Sequence, residues 1–97
     1  MHARVVTFQG SPDRMQQELP TRFRERVLPA LQQQPGFQRV FVLLDRTRGK
    51  VLGISLWESE EAATAAMRVM EPIRAESAEA MGAEAPTGEA YEVLYSE

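Results

Sequence analysis

Two apolar runs, "VFVLL" at residues 40–44 and "VLGISLW" at residues 51–57, are separated only by the polar stretch "DRTRGK". A polar connection this short, with Gly49 inside it, joins antiparallel neighbours and makes a hairpin. Side chains alternate across a strand. In 51–57, Leu52, Ile54 and Leu56 face one way, while Val51, Gly53, Ser55 and Trp57 face the other. In 40–44 both faces are apolar. A sheet built on this hairpin must be covered front and back. Helices from one chain can cover one face, so a second copy of the chain is expected on the other.

The flanking segments supply the rest of the sheet. "ARVVTF" (3–8), rich in β-branched residues, reads as a first strand ending at Gly10. "SPD" (11–13) then opens a helix: Ser11 caps it, Pro12 suits the first turn and Asp13 suits the positive end. Met15, Leu19, Phe23, Val27 and Leu31 follow at intervals of four along one side. Pro20 and Pro29 interrupt this pattern, which predicts kinks or a broken helix before "QPGF" (34–37) ends it. After Trp57, Ser59 caps a second helical region through Ala63, Met67 and Met70, and Pro72 is expected to restart it at a new angle as far as Gly82. "AYEVLYS" (90–96) is expected as the last strand. The order is β-α-β-β-α-β, an α+β ferredoxin-like fold. It implies a four-stranded antiparallel sheet with the helices on one face and the chain, residues 1–97, as one domain.

Composition narrows the function classes. The chain has no cysteine and one histidine, His2, so disulfides, thiolate metal sites and most nucleophilic constellations cannot be assembled. No metal site is expected, and His2 reads as exposed. Net charge is −3, and no basic stripe interleaved with aromatics appears, which argues against a nucleic-acid partner. The longest apolar run is too short to span a bilayer and the N-terminus lacks the pattern of a signal peptide, so a cytoplasmic protein without membrane contact is the expectation.

The element order, the opening "RVVTFQG", "LPALQQQPGF" at the end of the first helical region and above all "LWESEEAATAA" resemble the antibiotic biosynthesis monooxygenase-like domains of the dimeric α/β-barrel superfamily. The resemblance spans essentially the whole chain. It implies a homodimer closing through its sheet faces, with Leu52, Ile54 and Leu56 toward the partner subunit. It also implies a ligand space between sheet and helices. Relatives include cofactor-independent oxygenases of aromatic polyketides and haem-degrading oxygenases. Their strand-end tryptophan matches Trp57. The asparagine that the polyketide-oxidising relatives carry four residues earlier is Gly53 here, and the chain has no asparagine. The histidine of the haem-degrading relatives is also missing from the helix after Trp57.

Two functions emerge as expectations. One is a monooxygenase that needs no cofactor and binds a small aromatic or hydrophobic molecule. The other is a non-catalytic dimeric module of the same fold, binding a ligand or serving in stress responses. For Trp57, the candidate catalytic residue, core packing and a pocket wall are both open readings. Gly53 and Ser55 favour a pocket, because they are too small to fill the space above them. Phe23, Met67, Met70 and Tyr91 complete the expected pocket, with the Tyr91 hydroxyl as a contact for a phenolic ligand. Arg74 reads as a solvated helix residue.

Overall fold

The computed structural model describes residues 1–97. Four strands, β1 (His2–Gln9), β2 (Phe37–Asp45), β3 (Lys50–Trp57) and β4 (Thr87–Glu92), form one antiparallel sheet in the order β2-β3-β1-β4. Between β1 and β2 run α1 (Pro12–Arg22), a π-helical turn (Phe23–Val27) and α2 (Leu28–Gln32). Between β3 and β4 runs α3 (Glu60–Ala80). This is the α+β ferredoxin-like arrangement, with the helices on the face that carries Val6, Phe8, Val51 and Trp57.

The helix starts obey local chemistry. Ser11 Oγ accepts from the Arg14 amide, and Ser59 Oγ accepts from the Ala62 amide at 3.1 Å. At the far end of α3, Gly82 adopts φ +61°. The Ala83 amide returns to the Ala78 carbonyl at 2.8 Å and the Gly82 amide to that of Glu79 at 3.2 Å. This pair of bonds is the Schellman stop, and its left-handed residue favours glycine.

The prolines act differently from the expectation. Pro20 lies inside α1 and the chain stays helical through Gln32, with a π turn where a break was expected. The Leu28 amide bonds the Phe23 carbonyl, five residues back. Pro29 has no amide, and its ring crowds the carbonyl four residues earlier. A wider turn at this point relieves that crowding. The same turn serves the apolar stripe. Residues every four drift about 40° per step around an α-helix of 3.6 residues per turn, and the π turn takes up the surplus. Met15 and Leu31, at the two ends of the stripe, are therefore both buried against the sheet side. Nor does Pro72 divide the second helical region, for α3 is one helix of 21 residues with Pro72 exposed on its outer side.

The last strand runs over Thr87–Glu92, earlier than expected. Its register is set by β1, from Thr7 opposite Thr87 to His2 opposite Glu92. Beyond that, only the Val93 amide reaches the Met1 carbonyl. Pairing geometry overrides the stronger strand propensity of residues 93–95.

The core falls into two groups. Val6, Phe8, Met15, Val51, Ala78 and Met81 pack at one end, and Leu31, Trp57, Ala63, Ala66 and Met70 at the other. On β3, Gly53 and Ser55 lie between them. On the helix-free face, Phe41, Leu43 and Tyr91 are 44%, 49% and 48% exposed, and Leu52, Ile54 and Leu56 are half-buried beside them.

Candidate functional site

The gap between the two core groups is a cavity of about 90 Å³ between sheet and helices. β3 forms its floor with Val51, Gly53 and Ser55. A Cβ built on Gly53 would meet nothing nearer than the Val6 carbonyl oxygen at 4.0 Å, so the missing side chain leaves open space. α1 and the π turn supply Leu19, Arg22, Phe23 and Val27, and α3 supplies Met67, Met70, Ile73, Arg74 and Ser77. The wall is almost wholly apolar.

Of the residues expected at a pocket, Gly53, Ser55, Phe23, Met67 and Met70 are brought together here. Trp57 is not among the lining residues. It is 0% exposed and packs in the Leu31 group, edge-on to Phe37 with ring centroids 5.4 Å apart. Its Nε1–H donates to Ser55 Oγ at 2.8 Å, and Ser55 does line the cavity. The indole thus reaches the cavity through Ser55. Tyr91 is a correction. Opposite Ala3 in the β1–β4 register, it lies on the helix-free face, and its hydroxyl donates to Glu89 at 2.8 Å. That bond holds the phenol pKa above its ordinary value. His2 is half-buried, where exposure was expected; it pairs with Trp57 and Glu92 across the sheet.

Besides Ser55, the polar groups at the cavity are Arg22 and Ser77, which the sequence reading passed over, and Arg74, which it placed in solvent. Arg22 Nε–H donates to Ser77 Oγ at 3.1 Å, and Ser77 in turn donates to the Ile73 carbonyl at 2.8 Å. Arg22 also stands 3.7 Å from Glu76, which pairs with Arg26 at 2.8 Å. Arg74, read as solvated, is half-buried. Its Nη1 donates to Met67 Sδ at 3.0 Å and its Nη2 to the Met67 carbonyl at 3.4 Å. Burial, then the neighbouring Arg4 charge, pulls its pKa below the usual guanidinium value. A signal for this placement was present. Met67, Met70, Arg74 and Ser77 succeed one another at intervals of three and four, which puts Arg74 on the core side of α3.

No carboxylate, imidazole, thiol or phenol lines this cavity. No group of three or more histidine, cysteine or carboxylate side chains is placed to hold a metal ion. No helix is long and apolar enough to cross a membrane.

A space with an almost wholly apolar wall thus lies between the two layers of an α+β domain. The chain belongs to the antibiotic biosynthesis monooxygenase (ABM) family, whose sequence profile it matches over residues 1–71. It is 33% identical over 93 residues to an uncharacterised protein of Mycobacterium tuberculosis. That stretch is 96% of this chain and 41% of the relative, so the chain spans less than half the length of the curated protein it matches. Among solved structures it is similar to a monooxygenase from the gene ActVA-Orf6 of Streptomyces coelicolor, in complex with nanaomycin D. There the TM-score is 0.73 at 20% identity, covering 99% of this chain and 89% of the other. It is also similar to the haem degrader MhuD of M. tuberculosis, with two haems in its active site, at TM-score 0.70 and 23% identity over 100% and 99% of the two chains. These likenesses show the shared fold. Haem does not fit the residues here, since the sole histidine lies outside the cavity lining and no imidazole is offered to an iron.

Proposed function

We propose that this protein binds a small aromatic or hydrophobic molecule in the cavity over Gly53 and Ser55, and oxygenates it without a cofactor. The observation that carries this reading is the divided core. A well-packed interior would place a large side chain at position 53, and this one places none. An apolar space with few polar groups, each fixed by a partner, is how ligand sites are commonly built. The lining residues supply no general base, so the substrate must be acidic enough to reach its enolate or phenolate readily. The Arg22 and Arg74 guanidinium groups favour that anion by charge. The electron-rich anion then reduces dioxygen. For an activated methylene, one oxygen atom becomes the new carbonyl and the other leaves as water with the two hydrogens. The protein contributes desolvation, orientation and the fixed Ser55–Trp57 dipole.

The lack of a general base on the wall favours a second reading, a binding module without turnover. Oxygen uptake with 1,8-dihydroxyanthrone as probe separates the two. Catalysis predicts uptake faster than the spontaneous rate, abolished by Gly53→Leu in a protein that still folds. Probe binding without added uptake supports the second reading, and no binding at all removes both.

The proposed state is a homodimer through the helix-free sheet face. Phe41, Leu43, Leu52, Ile54, Leu56 and Tyr91 make one apolar surface there, of the kind that marks an interface in a small protein.

A further inference from the structure

Beside the apolar cavity lies a second, open one of about 230 Å³, lined by Arg4, Thr64, Met67, Arg68, Glu71 and Arg74. Met67 and Arg74 line both, so the two lie side by side. Three guanidinium groups face one carboxylate, and none of the three is in an ion pair. The ion pairs of this protein are Arg22 and Arg26 with Glu76, and Arg48 with Asp45.

The placement is built into the fold. Arg4 shares the helix side of β1 with Val6 and Phe8. Its neighbour across the sheet edge is β4, where a Cβ on Gly88 would come within 3.1 Å of Arg4 Nη2, so glycine leaves room for the head group. Arg4 Nε is buried and has no hydrogen-bond acceptor. Arg74 has only a thioether and a carbonyl of Met67. A buried donor without a partner is costly, and like charges gathered at one place add to the cost. Both costs disappear when an anion enters. Planar guanidinium forks suit a carboxylate, which can accept two hydrogen bonds side by side.

We propose that Arg4, Arg68 and Arg74 form an anion subsite, so that the ligand is an aromatic carboxylic acid with its ring in the apolar cavity and its carboxylate among these three arginines. This rests on the ligand-binding reading above and narrows it to organic anions. Arg74 stands at the boundary of the two compartments.

The matched probes 2-naphthoate and 2-naphthamide differ in charge and hardly in shape. Titration calorimetry, with Trp57 emission as a second readout, is expected to show the carboxylate binding about tenfold or more tightly than the amide. Arg4→Gln and Arg74→Gln each bring the ratio of naphthoate to amide affinity, measured on the same variant, down toward one. Arg68→Gln, on the exposed side of α3, does the same in part and cannot be ascribed to a damaged core. Added salt weakens naphthoate alone. Equal binding of both probes by the wild-type protein overturns the anion subsite and leaves the ligand cavity standing. Failure of both to bind overturns the cavity reading as well. A naphthoate preference that survives all three substitutions places the charge recognition elsewhere and overturns this assignment.

Discussion

Trp57 and Ser55 form one unit inside the protein. The indole has no exposure, and its single donor is satisfied by a hydroxyl two residues away on the same strand. Trp57→Phe is therefore expected to cost about 2 kcal/mol in urea denaturation, from lost packing and a stranded Ser55 hydroxyl. Ser55→Ala leaves the indole N–H buried without an acceptor and is expected to cost about 1–3 kcal/mol by the same measurement. Gly53→Ala runs the other way. The position has ordinary strand geometry and open space above it, so alanine is expected to add about 0.5–1 kcal/mol. The smallness of Gly53 and Ser55, legible in the sequence, marked the cavity. Strand parity also gave the face of Trp57. It could not give the position along that face, because Trp57 lies past the cavity, where Phe37 and Leu31 close over it. Arg4 was hidden for a related reason: its importance comes from Arg74 and Gly88, far away in the chain.

The elements were legible where local chemistry decides them. Ser11, Ser59 and Gly82 mark helix ends by their own hydrogen bonds, and the β2–β3 hairpin is dictated by its turn. In that turn, Asp45 accepts from Arg48 Nε and from the Thr47 and Arg48 amides, both at 3.1 Å. The Arg48 side chain first, then its amide, hold the carboxylate below its ordinary pKa of 3.8. A lowered folded pKa stabilises the protein fully above that ordinary value, and the contribution is lost as pH falls through the folded one. Asp45→Asn is expected to flatten the acid limb of a stability profile taken below pH ~5 by lowering neutral stability slightly, the loss being small at so exposed a site. Sequence reading missed where tertiary contacts decide. Pro72 sits in an unbroken α3 and offers no amide to the carbonyl of Arg68. Pro72→Ala is expected to raise stability by about 1–2 kcal/mol, net of the freedom the unfolded chain regains, as read by thermal unfolding. β4 was misplaced because its bounds come from the register with β1.

At the scale of the whole molecule, helices shield one side of the sheet and leave Phe41 and Leu43 of the edge strand β2, with Ile54 of the inner strand β3, on the other. A lysine at Ile54 would put a charge at the centre of the proposed dimer face. Ile54→Lys is expected to sediment as a monomer at concentrations where the parent chain sediments as a dimer, and a parent chain that sediments as a monomer would refute the pairing. The apolar character of the helix-free face was legible from the two-sided hairpin, and the neighbouring compartments under α3 were not. The wide turn at Phe23–Val27 also bears on how the chain can change in length. It holds one residue more than an α-helical phase allows, so deleting any one of the five would let the helix close up regularly. The segment before the deletion would keep its facing relative to α2, because the wide turn already takes up the 100° that the extra residue adds. Leu19 and Leu31 would both stay on the cavity's side, so the chain can shorten by one residue at this turn with those two parts of the wall in place.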